Sequence, residues 1–377
     1  MLYFPSPAGA VAGGVASEGQ RKATQYGPRP PLLRLSSRDN WESSYGEQEL
    51  IQRMAALART AGLGFSRMLI VAYYVSLKTN PFVVLTGVEG AGKTELATLF
   101  AETLLGHGSP QYALINGDSS WLKATGDQRS FRSLFDHFTS LRFLELLQEA
   151  ADPGSAGKVF VVCFDGMHPA EVNYYFTTLL RVDEEGRTRL SLPGIPDDER
   201  PVVPPNVSIT ATVNTAEGVG VLGADVLRRA GVIAFRAGQA DRAAWQLQLP
   251  PPVGVQRLWL RAGRRDAAAA REHLFQIIGS TQWNRMGCSE LLAAALRRAS
   301  MALTQRLRQD VMIYVANSFD AEGRGLFDPD DVLRNAQIAF DHQVVQRLIW
   351  RLRDVPDQML TYLMSDPDRQ HPLAWAG

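Results

Sequence analysis

The chain has 377 residues, 45% of them hydrophobic, and its 39 Lys and Arg residues balance 39 Asp and Glu residues. That length allows two or three domains with well-buried cores. The zero net charge argues against a molecule-wide polyanion surface, leaving DNA contact to a local patch or a partner subunit. No run reaches the roughly 18 apolar residues of a membrane span, so no membrane contact is expected. The start, "MLYFPSPAGAVAGGVASEG", has no basic residue before its weakly apolar part and is not expected to be a secretory signal. Cys163 and Cys288 have no metal-ligand spacing, and Cys163 reads as a small buried hydrophobe. A cytoplasmic, reducing location is the expectation.

Residues 1–42, rich in Gly, Ala, Ser and Pro, read as a flexible leader. Leu50, Met54 and Leu57 have helical spacing, closed by Gly62 and Gly64. "FSRMLIVAYYVSLKTN" reads as a second, more apolar helix ended by Asn80-Pro81. Then follow a strand, "FVVLTG", a helix from Lys93 to about Leu105, a strand, "YALING", and an amphipathic helix from about Phe131 to Ala150. The strand Val159 to Phe164 precedes a helix from about Ala170 to Val182 and a loop rich in Pro and Asp. "VSITATVN" is the next strand, "ADVLRRA" a short helix and "GVIAF" one more strand. Alternating strands and helices predict a parallel three-layer α/β sheet with its ligand site at the strand C-termini. Residues 239–263 contain the break "LPPPVGV", and helical patterns follow over 264–279, 289–318 and 330–364. The expected organisation is a leader (1–42), an α/β nucleotide-binding core (43–238) and an α-helical lid (239–377).

"LTGVEGAGKT" fits G-x-x-x-x-G-K-S/T in full, between a predicted strand and a predicted helix, the context a genuine phosphate loop needs. Gly87, Val88, Glu89, Gly90, Ala91, Gly92, Lys93, Thr94 and Glu95 are its candidate nucleotide-binding residues. The glycines let backbone N–H groups ring the phosphates, and the helix N-terminus adds its positive end. Lys93 is expected to reach the β and γ phosphates, and Thr94 to offer its hydroxyl oxygen to Mg²⁺.

The apolar run Val159 to Phe164 delivers Asp165 to the same rim, where it is the second candidate Mg²⁺ group of a P-loop NTPase. Asn214, at the tip of another core strand, can hold a water near the γ phosphate. Arg228 and Arg229 end a short helix just before the last core strand, and Arg306 and Arg308 lie on an apolar-striped helix of the lid. Arginine charge near the transferred phosphoryl group contributes roughly 10³–10⁵ in rate. Asn214, Arg229 and Arg306 are therefore the candidate catalytic residues.

Together these segments resemble the AAA+ superfamily and, within it, the McrB-like branch linked to modification-dependent restriction. The likeness is carried by "SLKTNPFVVLTGVEGAGKT", by "INGDSSWLKATGD" with Trp121 and Gly126, by "DGMHPAEVNYYFTTLL", by "VPPNVSITATVNTAEG" and by "VLRRAGVIAF". In the lid it rests on Arg306, Asp310 and Tyr314 and on "FDHQVVQRLIWRL". The resemblance implies a AAA+ three-layer P-loop core with an α-helical lid, ATP or GTP with Mg²⁺ as cofactors, and Asn214, Arg229 and Arg306 as the first sensor, the arginine finger and the second sensor.

One departure matters. Members of the branch read Leu-Asp-Glu-Met-Asn where this chain has Phe164, Asp165, Gly166, Met167 and His168. The glutamate that orients the attacking water is missing, and losing a positioned general base costs roughly 10²–10⁴-fold. Glu171 and His168 are the nearby groups able to replace it. The expectation is a homo- or hetero-oligomeric ring subunit that binds nucleotide and turns it over slowly, or only with a partner. The resemblance implies a nuclease or an active ATPase as that partner, in a restriction or anti-phage defence-like system. A protein-remodelling ATPase of the MoxR sort shares the same core elements, and a nucleotide-dependent scaffold without hydrolysis is the reading that Gly166 favours.

Overall fold

The computed structural model of the chain describes residues 45–117, 142–174, 180–182, 188–190, 200–214, 222–235, 250–286 and 304–348. All of them belong to one compact unit, residues 40–377. The expected boundaries after residues 42 and 238 lie outside the described residues, as do Trp121, Gly126 and Cys288.

Two helices precede the sheet. In α1 (Glu47–Thr60), Leu50, Ile51, Met54, Leu57 and Ala58 form a buried stripe. In α2 (Arg67–Thr79), the Ser66 side chain caps the first turn by accepting from the Leu69 N–H at 3.2 Å. Residues Ile70 to Lys78 of α2 are all buried.

The core strands and helices follow in chain order as β1 (Phe82–Gly87), α3 (Lys93–Leu105), β2 (Tyr112–Asn116), α4 (Phe143–Ala151), β3 (Phe160–Met167) and α5 (Pro169–Tyr174). Next come β4 (Leu180–Val182), β5 (Thr188–Leu190), β6 (Val207–Asn214), α6 (Ala224–Arg229) and β7 (Gly231–Ala234). Five strands form one parallel sheet in the order β2-β3-β6-β1-β7. Its two faces feed different clusters. Val83, Leu85, Val161 and Cys163 join the cluster that contains α1, α2 and α3. Their neighbours Phe82, Val84, Phe160, Val162 and Phe164 join a second cluster with α4. The period-2 alternation of side chains thus builds a three-layer α/β core, with apolar runs because both faces are covered.

The helical region is α7 (Val255–Ala262), α8 (Ala267–Arg285), α9 (Gln305–Asn317) and α10 (Val332–Gln343), the last running into a π turn over Val344–Leu348. Trp259, Leu274, Val315 and Phe340 share the first cluster with α1–α3, so this region packs on the face that carries the phosphate-loop helix.

Several elements differ from the sequence expectation. The helix expected over 170–182 ends at Tyr174 among the described residues, and Leu180–Val182 instead pairs with Thr188–Leu190 as an antiparallel hairpin. The helix expected over 131–150 does not pass Arg142, whose φ of 61° is left-handed, and it starts at Phe143. Residues 131–141 lie outside the described ones. Helix α7 lies within the stretch expected to be a break, its buried Val255, Trp259 and Ala262 spaced for one face. α8 runs past the expected end at 279, bending at Gly279 (φ 77°) before continuing to Arg285. α9 begins after its Thr304 cap, and residues 289–303 and 349–364 of the expected lid helices fall outside the described ones. No described helix is long and apolar enough to cross a membrane.

Packing also sets an acid response. His342 stacks on Phe327 with ring centroids 5.1 Å apart, and burial lowers its pKa from 6.5 to about 4. Above pH 6.5 both folded and unfolded chains carry it neutral. Between 6.5 and about 4 only the unfolded chain takes up the proton, so stability falls over that window and levels off below it. We expect the melting temperature of wild type to drop more steeply over this window than that of His342→Phe. Parallel melting curves across it would contradict the assignment.

Candidate functional site

The loop between β1 and α3 spans Gly87 to Thr94, and its glycines occupy backbone that side chains rarely adopt. Gly87 has a φ of 148°, and a Cβ there would lie 2.8 Å from the Phe235 carbonyl oxygen and 2.9 Å from its Cβ. Phe235 donates its N–H to the Thr86 carbonyl at 2.7 Å, so only glycine allows the loop to leave β1 beside the end of β7. Gly90 and Gly92 also have positive φ, 75° and 93°, which turns the chain into the first turn of α3. Val88, Glu89 and Gly90 are exposed at the loop crest, Ala91 and Gly92 are buried at its base, and Glu95 is half-buried in the first turn of α3.

Lys93 is 4% exposed. Its Nζ donates to the carbonyls of Gly87 at 3.1 Å and Val88 at 2.7 Å, so the ammonium is held beneath its own loop. Burial lowers its pKa, and the carboxylates of Asp165, Glu95 and Glu89 oppose that shift. An ammonium so placed, buried and bonded to two carbonyls that a stronger acceptor can replace, is suited to an anion arriving in the loop.

Asp165 stands next to the loop because β3 ends beside β1 with only β6 between them. The Thr94 hydroxyl donates to Asp165 Oδ1, and the Thr212 hydroxyl donates to the same oxygen at 2.6 Å. The Gly166 N–H donates to Thr212 Oγ1 at 2.8 Å, and the Gly117 N–H donates to the main-chain oxygen of Asp165 at 2.6 Å. Thr94, Asp165 and Lys93 are therefore neighbours at one rim.

The register explains the unusual tip of β3. Phe164 pairs with Ala211 and Met167 with Val213, so three steps on β3 span two on β6. The extra residue is a β-bulge, rare between parallel strands. Gly166 absorbs it with a φ of 66°, and a Cβ there would meet no atom within 4 Å. Position 166, where the resemblance implies a water-orienting glutamate, is a left-handed backbone site facing open space.

Glu171 is 1% exposed and accepts the His168 N–H at 2.7 Å, which makes it the cap of α5. His168 is exposed at the helix start.

Asn214 is exposed at the tip of β6, in register with Gly87, so it stands between the phosphate loop and the end of β3. Arg229 ends α6, half-buried, and its Nη2 donates to the Leu180 carbonyl. Burial lowers its pKa, and so does the positive charge of Arg306. The structure therefore brings Arg229 and Arg306 into one electrostatic neighbourhood within the chain. Arg306 and Arg308 are exposed in the first turn of α9, and Arg228 is exposed and paired with Asp225. Nearby, Arg347 donates to the Arg228 carbonyl at 2.6 Å and lies 3.5 Å from Asp310, which fastens the π turn to α6.

Thr212 was not singled out by the sequence. Its signal lies in the alternation of "VSITATVN", where Ser208, Thr210 and Thr212 share one buried face of β6. Thr210 bonds the Tyr73 hydroxyl at 2.7 Å, while Thr212 reaches Asp165.

No family model matches the chain, and no curated protein matches it. Three solved structures are distant likenesses. One is a Cytophaga hutchinsonii protein provisionally designated an ATPase, 13% identical, with 85% of this chain and 94% of that one covered at a TM-score of 0.44. PCH-2 of C. elegans is 16% identical, with 80% and 72% covered at 0.27. An MCM homolog from Methanopyrus kandleri is 12% identical, with 80% and 60% covered at 0.34. Scores below 0.5 at such identities assign nothing by themselves, so the functional reading rests on the residues at the phosphate loop.

Proposed function

We propose that the chain is a nucleotide-binding subunit of the AAA+ type, holding ATP or GTP with Mg²⁺ and hydrolysing it slowly or only beside a partner. The observation that carries this reading is the convergence of Lys93, Thr94 and Asp165 on one rim, reached from a full phosphate-loop motif. A hydroxyl and a carboxylate in direct contact suit Mg²⁺, which is held by one or two protein oxygens together with phosphate oxygens. Thr94 and Asp165 are the residues that would hold it, and bound Mg²⁺ supplies charge neutralisation at the β and γ phosphates. Loop N–H groups bind the phosphates, Lys93 follows them with its ammonium, and Asn214 orients a water from the tip of β6.

Gly166 supports slow turnover. Without a side chain there, proton removal from the attacking water lacks its usual acceptor, and Glu171 is engaged at the start of α5. Arg229, bonded to Leu180 in its own chain, must leave that carbonyl to serve a neighbour's nucleotide in a ring. The resemblance of the motifs to the McrB-like branch supports placing this subunit in a restriction or defence-like assembly with a nuclease or an active ATPase.

Steady-state ATP and GTP hydrolysis, measured beside nucleotide binding, tests the reading. We expect binding that Lys93→Ala weakens by about 10²-fold and turnover lower by roughly 10²–10⁴-fold than a site with a positioned base provides. Brisk turnover that Lys93→Ala abolishes would mean that another residue orients the water. No added activity is expected from Gly166→Glu, because the left-handed backbone costs an L-residue about 1–2 kcal/mol and aims its Cβ into open space.

A further inference from the structure

Thr212 is a buried hydroxyl at the centre of the sheet, 1% exposed, and it makes two bonds of opposite sense. Its oxygen accepts the Gly166 N–H at 2.8 Å, and its own proton goes to Asp165 Oδ1 at 2.6 Å. The first bond fixes the hydroxyl rotor, because the acceptor side of the oxygen is already occupied. The second then has a set direction. The bulge is what makes the arrangement possible, since at the left-handed Gly166 the N–H is given to a β6 side chain.

Two hydroxyls share Asp165 Oδ1, and they differ in what else they must do. Thr94 belongs to the phosphate loop and is itself a candidate metal ligand. Thr212 lies on β6, away from the loop, and has no such second task. We infer that Thr212 is a positioning residue that holds the Asp165 carboxylate for Mg²⁺, with the Gly166 bulge as its brace. This rests on the nucleotide reading above and deepens it: the bulge that displaces the usual glutamate keeps the metal carboxylate ordered. The site is thus built to retain a metal–nucleotide complex. Supporting partners of metal ligands are typically worth 10–100-fold in metal affinity.

The test is a Mg²⁺ titration of fluorescent mant-ATP binding to the full chain, repeated in EDTA, with Mn²⁺ binding counted by electron paramagnetic resonance. Thr212→Val should raise the Mg²⁺ midpoint by roughly 10–100-fold and weaken Mn²⁺ binding, with binding in EDTA unchanged. Thr212→Ser, which keeps the hydroxyl, should stay close to wild type. An unchanged midpoint in Thr212→Val overturns the proposal, as does an equal loss with and without metal, which marks a purely structural role. If Thr212→Val and Thr212→Ala both fail to fold, a crystal structure of wild type with Mg²⁺ and a non-hydrolysable ATP analogue decides. A Thr212 hydroxyl still bonded to Asp165 beside the bound metal supports positioning. A hydroxyl turned away from Asp165 with the metal bound overturns the proposal. Wild type that binds no nucleotide under either condition overturns the nucleotide reading itself, a result distinguishable from every failure above.

Discussion

Lys93→Ala is expected to weaken nucleotide binding by about 10²-fold, with little change in folding stability. Its ammonium is buried and donates to two loop carbonyls, Gly87 and Val88, that can turn to water once the side chain is gone. The phosphates have no such substitute. Truncating one partner of a buried charge pair costs about 2–5 kcal/mol, and 3 kcal/mol is roughly 150-fold. Lys93→Arg should recover little, because the guanidinium is larger and planar where the loop encloses a compact point charge. Titration calorimetry with ATP and GTP checks this, and wild-type affinity in Lys93→Ala would contradict the placement of the phosphates.

Lys78→Met is expected to destabilise the chain by about 3–5 kcal/mol, a large share of the roughly 5–15 kcal/mol that holds a domain together. Lys78 is 1% exposed, and its Nζ bonds Glu47 Oε1 at 2.7 Å and the Phe319 carbonyl at 3.0 Å. Burial lowers its pKa, and the Glu47 carboxylate opposes the shift. Removing the ammonium leaves Glu47, 2% exposed, with the Tyr74 hydroxyl at 3.0 Å and the charge of Arg264, which has no direct bond to it, as weaker compensation for a buried charge. Because Glu47 lies on α1, Lys78 on α2 and Phe319 just beyond α9, the loss loosens the lead-in helices and the helical region together. Lys78→Met with Glu47→Leu should recover much of the stability, since an apolar pair of similar volume removes the orphaned charge. Urea unfolding of the three chains measures both effects. A cost below about 1 kcal/mol for Lys78→Met would contradict a buried, coupled pair.

How much of this was legible in the sequence differs by feature, for physical reasons. The phosphate loop could be read because its glycines answer a backbone requirement, as the close approach of Gly87 to Phe235 illustrates. The core strands could be read because parallel strands covered on both faces are continuously apolar, as Phe160 to Phe164 are. The hairpin of β4 and β5 was hidden because Leu180–Val182 continues an apolar helical pattern, and pairing across the sheet decides its state. α7 was hidden by the prolines just before it, although its spacing was helical.

The bulge at Gly166 belongs to two strands at once. The departure at Gly166 was legible only through the resemblance, and the extra residue appears only when β3 is laid against β6. Thr212 was unreadable for the same reason: its partners, Asp165 and Gly166, are 47 and 46 residues away. Arg229 and Arg306 were read as separate candidates, and their electrostatic proximity comes from packing of the helical region on the core.

A crystal structure of the full chain with Mg²⁺ and a non-hydrolysable ATP analogue tests most directly whether Lys93, Thr94 and Asp165 form a metal–nucleotide cradle. We expect phosphates ringed by the N–H groups of Gly90 to Thr94, Lys93 Nζ released from the Gly87 and Val88 carbonyls onto phosphate oxygens, and the metal beside Thr94 and Asp165. Phosphates seated elsewhere, or Lys93 still bonded to its loop with the analogue bound, would contradict it.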